Sequence, residues 1–470
     1  MTKEGSKLVV IGHGAAGLAA ALAAAEEARD RRFPLEITLL EKAPRAGAGG
    51  NTRWSPSYIR MAAVDRIGPD FENDMQLASG GRADPVYFRT LAENAPGTIA
   101  WLQRKGVAFS TPVYYLSAGP PRIQPNGGGR AIVERLSEAA RQAEVQILYD
   151  CPATHAAFGE RRRYVLKTAG SRGDRPVEAD AIIFASGGFQ GSTEMMRAHF
   201  GPAAATMKLI SPGTGFDTGD GIRLAQDIGA SLSGDWSGMH AEPIDPRSRQ
   251  SAPVVLIYPY GIVVDRNGQR FFDEGAGLVH ETWEEFARDI HFLRPGRIAY
   301  AILDSRLFEI EGYERAIRSE VPPYQAATLD ALAAMIDVPA GALKKTVESF
   351  NAAATGDPTQ FDATRRDGLA TSGLMPPKSN WACPITKAPF IAYPLIGAIA
   401  YTFGGVAANE KAEVRGPAGI IPGLYAAGDV TGHFYGTAPN AVAMLRATVF
   451  GKIAGEEAVG FLARNSNRNR

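Results

Sequence analysis

Cysteine is nearly missing from this chain: there are two in 470 residues, Cys151 and Cys383, far apart in sequence. A disulfide framework is thereby excluded as the source of stability, and buried free thiols in a reducing, cytoplasmic setting are expected. Net charge is missing too. Fifty basic side chains balance fifty acidic ones, so no global field draws the chain toward nucleic acid or an anionic lipid surface. Nor is there a run near the roughly 18 continuous apolar residues that a membrane span needs. No internal repeat or low-complexity tract occurs beyond the polar tail "NSNRNR", which reads as frayed. The start "MTKEGSKLVVIGHGAAGLAAALAAAEEA" imitates a secretion signal, but glycines interrupt its apolar run and Glu26 and Glu27 follow directly, so it reads as structure.

What is plentiful is glycine, 52 residues, against an average usage near 7%. Glycine is needed where backbone turns sharply or approaches a ligand closely, and a chain of this length is expected to form two or more domains. Leu8-Val9-Val10-Ile11 is a short apolar run, as for a strand buried on both faces, and GHGAAG follows at 12–17 before an alanine-rich helix to about Ala28. In that motif Gly12 permits the tight turn, Gly14 lets a pyrophosphate reach the backbone, and Gly17 lets helix and strand pack closely, with Ala16 in the first helical turn. A second strand, residues 36–40, ends in Glu41 and Lys42, and Glu41 is spaced to hold ribose hydroxyls.

That motif leaves NAD and FAD both open. Three later segments favour FAD. "GGNTRWS", with Gly50, Asn51 and Thr52, offers donors near a pyrophosphate and an isoalloxazine. "EADAIIFASGGFQGS" (178–192) reads as a strand and a Gly-Gly turn, bringing Ala185, Ser186 and Gly187 to the cofactor, with Ala153 a further contact. "IPGLYAAGDV" (421–430) carries Gly428 and Asp429, and an aspartate at a strand-to-turn junction can accept hydrogen bonds from a ribityl chain, which NAD lacks. A helix from about Asn440, through Ala441 and Val442, would aim its positive end at the flavin's pyrimidine carbonyl.

Together with "GGGRAIVERL", "FDTGDGIRLAQDIGA", "GIVVDRNGQRFFDE" and "TFGGVAAN", these segments resemble the flavoprotein family of fumarate reductases and succinate dehydrogenases, over nearly the whole chain. "GGNTRWSPSYIRM" and "YTFGG" are most similar to its tricarballylate dehydrogenase branch, with 3-ketosteroid dehydrogenases more distant. The resemblance implies an α/β architecture: a Rossmann-like FAD-binding domain from both chain ends (1–239 and 385–470) with an inserted α+β cap (240–384). In the cap, "YGIVVDRNGQRFF" reads as a hairpin and residues 326–351 as a helix.

The resemblance also marks departures. Membrane-bound members attach FAD through a histidine after the second strand. Residues 42–57 contain none, so FAD is expected to be non-covalent, and no CxxCH haem site is present. His240 matches a family histidine at the cap entrance, whereas Tyr401, before Thr402, stands where fumarate reductases place another. "HFYGTAPNA" lacks the family's substrate arginine, leaving Arg446 further along as a substitute. Arg306, two residues past Asp304 in "AILDSRLFEI", matches the family's proton-carrying cap arginine, and Arg53 and Arg60 are further candidates for a substrate carboxylate. Steroid chemistry loses its usual tyrosine after "PF", where Ile391 stands.

The expected activity is desaturation, or the reverse reduction, of a CH–CH bond beside a carboxylate, tricarballylate dehydrogenase-like. Catalysis is assigned to Arg306, Tyr401 and His240, and substrate binding to Arg53, Arg60, Thr402 and Arg446. The alternatives are a cyclic-ketone dehydrogenase, a fumarate-reductase-type enzyme and a flavin redox sensor. The electron acceptor is not legible, and no metal is expected.

Overall fold

Residues 8–11 lie fully buried in a six-stranded sheet, paired in parallel with Leu35–Leu40 on one side and Ala181–Phe184 on the other. This computed structural model describes residues 5–113, 115–116, 119–159, 163–170 and 176–468. The sheet order is Glu413–Gly416, Gly419–Ala426, Ala181–Phe184, Ser6–Ile11, Leu35–Leu40, Gln146–Leu148, parallel except for the hairpin edge Glu413–Gly416. The first strand therefore has neighbours diverging on both sides, and a crevice opens beyond its C-terminal end. Gly12 sits there at φ +111°, and a Cβ on it would lie 2.3 Å from the Ala185 carbonyl oxygen. No other residue fits that turn.

The two chain ends meet through small residues. The helix Ala15–Asp30 is thin because alanines fill its buried face, and the final helix Ala443–Arg468 lies against it. Gly451 and Gly455, one helical turn apart, would drive a Cβ to 2.4 Å from the Ala16 carbonyl and 2.3 Å from that of Ala20. Backbone-to-backbone packing thus ties the C-terminal helix over the glycine turn. The tail read as frayed continues this helix to Arg468; residues 469–470 lie outside the described residues.

A second sheet is organised by the thirteen-residue strand Phe390–Thr402. Its first half pairs antiparallel with Ala299–Leu303 and its second half with Met239–Ile244. Strands Ile262–Asp265, Tyr324–Ala326 and Lys208–Leu209 complete it. One sheet therefore runs across the boundary drawn at 384/385, because the long strand carries the cap's hydrogen bonding into the flavin unit. Ile262–Asp265 turns at Gly268, but the returning arm of the expected hairpin is reduced to the bridge between Val264 and Arg270. The helix expected over 326–351 is two helices, Leu329–Met335 and Ala340–Ala353, because the chain turns at Asp337 (φ +53°) and Pro339. Leu332, Leu343, Val347 and Phe350 are buried between them and the sheet.

Candidate active site

One continuous cavity runs from the crevice of the first sheet to the inner face of the second. At the crevice, Glu41 is buried and accepts the backbone N–H of His13 at 2.9 Å and of Ala43 at 2.7 Å. Burial raises the pKa of its carboxyl, and these N–H groups offset part of the rise. Each oxygen keeps a lone pair for a hydroxyl. Lys42 pairs with Asp220 at 2.6 Å beside it. Thr52 Oγ1 accepts the N–H of Ala15 at 3.1 Å, and Asn51 donates to the Ala400 carbonyl at 3.1 Å while accepting from Ser211 at 2.8 Å. The "GGNT" loop is thus pinned between the first helix and the long strand.

The residues present fit a bound flavin dinucleotide. A Cβ on Gly14 would meet nothing nearer than Thr52 Oγ1 at 3.6 Å, so the space over that glycine is open. Ser186 Oγ and Asn440 Oδ1, both on residues lining the cavity, are buried without a hydrogen-bond partner among the described residues. Asp429 lines the same cavity and accepts from Arg446 at 2.8 Å. Asp217, also lining it, is held well above the usual carboxylate range by burial and by the charges of Asp429 and Glu41.

The far end of the cavity is polar, aromatic and largely invisible in the sequence. His240 and Tyr401 are cross-strand partners, with rings stacked at 4.9 Å. His280, Trp283 and Glu284 project from one face of the helix Val279–Leu293, at spacings of three and four. His240 Nδ1 contacts Glu284 at 2.7 Å, and its Nε2 contacts Glu242 at 3.3 Å. Burial would push its pKa down, but the hydrogen bonds and charges of Glu242 and Glu284 outweigh that and raise it to about 10. His240 is therefore an imidazolium at neutral pH. Tyr401 keeps its proton, since burial and nearby Asp429 and Glu284 raise its pKa well above the usual value. His280 is neutral: burial is the main cause of its fall to about 4, and Arg122 adds to it.

Two arginines enter from distant loops. The bridge between Ile59 and Ile123 sets Tyr58 and Arg122 side by side, and the Arg122 guanidinium lies 4.0 Å from the centre of the Tyr58 ring. Arg318 donates its backbone N–H to the Val254 carbonyl and its Nη2 to Tyr58 Oη, both at 2.9 Å. Both arginines, with Tyr115 and Glu242, line the cavity.

Of the residues singled out in the sequence, Gly12, Gly14, Ala16, Glu41, Lys42, Gly50, Asn51, Thr52, Ala153, Ala185, Ser186, Gly187, Gly428, Asp429, Asn440 and Ala441 line the cavity, as do His240 and Tyr401. Gly17 serves packing, facing the Gly12 carbonyl at a separation that excludes a Cβ. Val442 is buried in the core and instead caps the last helix, its carbonyl accepting from Arg446 N at 2.9 Å. Thr402 Oγ1 is spent on Phe189 N at 3.2 Å. The arginines chosen from sequence are not among the lining residues: Arg60 pairs with Asp74, Arg53 Nη1 reaches the Ala48 carbonyl at 3.4 Å, and Arg446 stacks on Phe434 and pairs with Asp429 through Nη2. Arg306 is not among the lining residues either; its fork holds Asp304 at 3.0 and 2.7 Å. Arg306→Lys is therefore expected to leave turnover within about threefold of wild type, at a stability loss of about 1 kcal/mol because lysine cannot reproduce the fork. Steady-state rates and a thermal melt check this, and a 100-fold loss of turnover would restore the proton-carrier assignment.

A parallel sheet with a glycine turn at its crevice, a buried ribose-spaced glutamate and a second sheet closing the cavity defines a dinucleotide-dependent oxidoreductase. The family model described as FAD binding domain matches residues 7–443, and the chain belongs to that family. It is 27% identical over 480 residues to the probable fumarate reductase Ifc3 of Shewanella frigidimarina (strain NCIMB 400), covering 97% of this chain and 75% of that one. A 4-oxocyclohexanecarboxylate 2-dehydrogenase of Sinomonas cyclohexanicum is 30% identical over 370 residues, 71% of this chain and 61% of that one. The open conformation of a flavocytochrome c3 fumarate reductase shares the fold, with a TM-score of 0.74 over 98% of this chain and 79% of that one at 24% identity. The protein is an FAD-dependent oxidoreductase of the fumarate reductase type, acting on CH–CH groups. Among the described residues no helix is long and apolar enough to cross a membrane.

Proposed function

We propose that this enzyme interconverts an unsaturated carboxylic acid and its saturated counterpart. The observation that carries this is the convergence of Arg122 and Arg318 on the cavity that holds Tyr401 and His240 beside the flavin-binding residues. Bound FAD supplies the two-electron chemistry at the carbon–carbon bond. The chain's own residues bind and polarise. Arg122 and Arg318 hold the carboxylate through planar, charge-assisted hydrogen bonds. Tyr401 donates its hydroxyl proton as a hydrogen bond to the oxygen that gains negative charge. The imidazolium of His240 adds a fixed positive charge and keeps a transferable proton at Nε2. Trp283 and the stacked rings exclude water from this end. The protonated resting states of His240 and Tyr401 favour reduction of the double bond at neutral pH.

A second reading has its own support. The relative named 4-oxocyclohexanecarboxylate 2-dehydrogenase acts, by its name, on a ring bearing both a ketone and a carboxylate. A tyrosine that stays protonated in a cavity also lined by two arginines suits such a substrate. A tricarballylate-like substrate suits the cavity less, since three carboxylates would meet Glu242 and Glu284 as well.

Rapid mixing of the reduced enzyme with unsaturated acids and uncharged enones tests the proposal. Flavin reoxidation by an unsaturated acid is expected, persisting until the pH passes about 10, where His240 loses its proton. In Glu284→Gln that alkaline limb should move toward the ordinary imidazole range. The pair is linked to stability in the same direction. The stabilisation is complete below the unfolded-state pKa of about 6.5. It is lost as pH rises through the folded-state value of about 10. Reoxidation by uncharged enones alone would refute the carboxylate, and reoxidation by nothing in the panel would favour a redox sensor.

A further inference from the structure

We infer that Glu242 limits the substrate to a single carboxylate on an apolar body, an inference that rests on the carboxylate reading above. Glu242 and His240 are two residues apart on Met239–Ile244, so both point to the same face, and both line the cavity. Glu242 reaches the cavity from that strand, near enough to Arg122 and Arg318 to feel their charges, and its Oε1 lies 3.3 Å from His240 Nε2. Among the described residues the charges at this end are three cations, Arg122, Arg318 and His240, and two carboxylates, Glu242 and Glu284, while Arg60 with Asp74 and Arg366 with Glu281 form pairs that cancel. His280 is neutral. Asp429 and Arg446 cancel one another at 2.8 Å.

One net positive charge remains. A substrate with one carboxylate brings it to zero, whereas a dicarboxylate leaves an uncompensated negative charge in a site walled by Trp283, Tyr58, Tyr115 and Tyr401. Glu242 therefore selects by repulsion, placed where a second carboxylate would seek the arginines. Burial pushes the Glu242 carboxyl up, but His240, Arg318 and Arg122 bring it below the usual carboxylate range, so the repelling charge is present throughout the neutral range. Its aromatic surroundings suit the apolar remainder of such a molecule.

Crotonate and fumarate test this because they have the same four-carbon length and differ in one carboxylate. Wild-type enzyme is expected to prefer crotonate, and Glu242→Gln to raise the fumarate-to-crotonate ratio of kcat/KM by about tenfold or more. The second measurement needs no variant: butyrate should perturb the flavin spectrum of the oxidised wild type at lower concentration than succinate. An unchanged ratio in Glu242→Gln, or tighter binding of succinate than of butyrate to wild type, overturns the inference and leaves the carboxylate reading intact. If methyl crotonate, which carries no charge, is used as well as crotonate and Arg318→Met does not change that, the carboxylate reading itself fails, and the inference with it.

Discussion

Arg318→Met is expected to lower kcat/KM for the carboxylate substrate by about 100-fold or more, roughly 3 kcal/mol, within the range for truncating one partner of a buried charge pair. Most of the loss should fall on KM, because the interaction holds substrate and transition state alike. Methionine keeps an unbranched apolar stem but loses the guanidinium, and with it the Nη2 bond to Tyr58 Oη at 2.9 Å. It also leaves Glu242 with one cation fewer beside it, since Arg318 is one of the charges that holds that carboxyl ionised. Part of the loss therefore belongs to Glu242. The double variant Arg318→Met with Glu242→Gln should lose less than the two single effects combined, because the residues act on one another. Uncharged enones, which make no use of the arginine, should react at unchanged rates. Steady-state kinetics on the four proteins check all of this, and a fully additive double variant would separate Arg318 from Glu242.

Tyr401→Phe is expected to lower kcat by about 100-fold to 1,000-fold with little change in KM, as for the loss of one donor to a developing oxyanion. The substitution removes only the hydroxyl. The ring should stay stacked on His240 at 4.9 Å, and the backbone pairing between the two strands is untouched. Flavin content and the melting temperature should therefore match wild type, and these two controls separate a catalytic loss from a folding one. Rapid-mixing traces of flavin reoxidation give the rate of the chemical step directly. A phenylalanine variant with wild-type rates would move the polarising role to His240 alone.

The flavin end of the cavity was legible in the sequence because its chemistry is local. A strand, a glycine turn and a helix occupy residues 6–30 without interruption, and Gly12 is required by backbone geometry that neighbouring residues create. Glu41 follows from the length of one βαβ unit, and Asp429 from the end of one strand. His240 was legible from the family likeness, although its charge state was not, since that depends on Glu284 in a helix that begins 39 residues later.

The substrate end was decided by tertiary structure. Proximity to a flavin segment pointed to Arg53 and Arg60, and the family likeness to Arg306 and Arg446, but the fold engages each guanidinium with another group. The fold supplied Ala48, Asp74, Asp304 and Asp429 for those four. Arg122 and Arg318 carry no local signal. They reach one cavity only because Ile123 bridges to Ile59, Ile317 bridges to Val255, and Tyr58 lies between them. The sequence by itself thus determined the α/β class, the glycine turn and the flavin chemistry, all written in short-range spacing. Which guanidinium groups line the cavity depends on charges brought together from across the chain, and only the folded structure decides that.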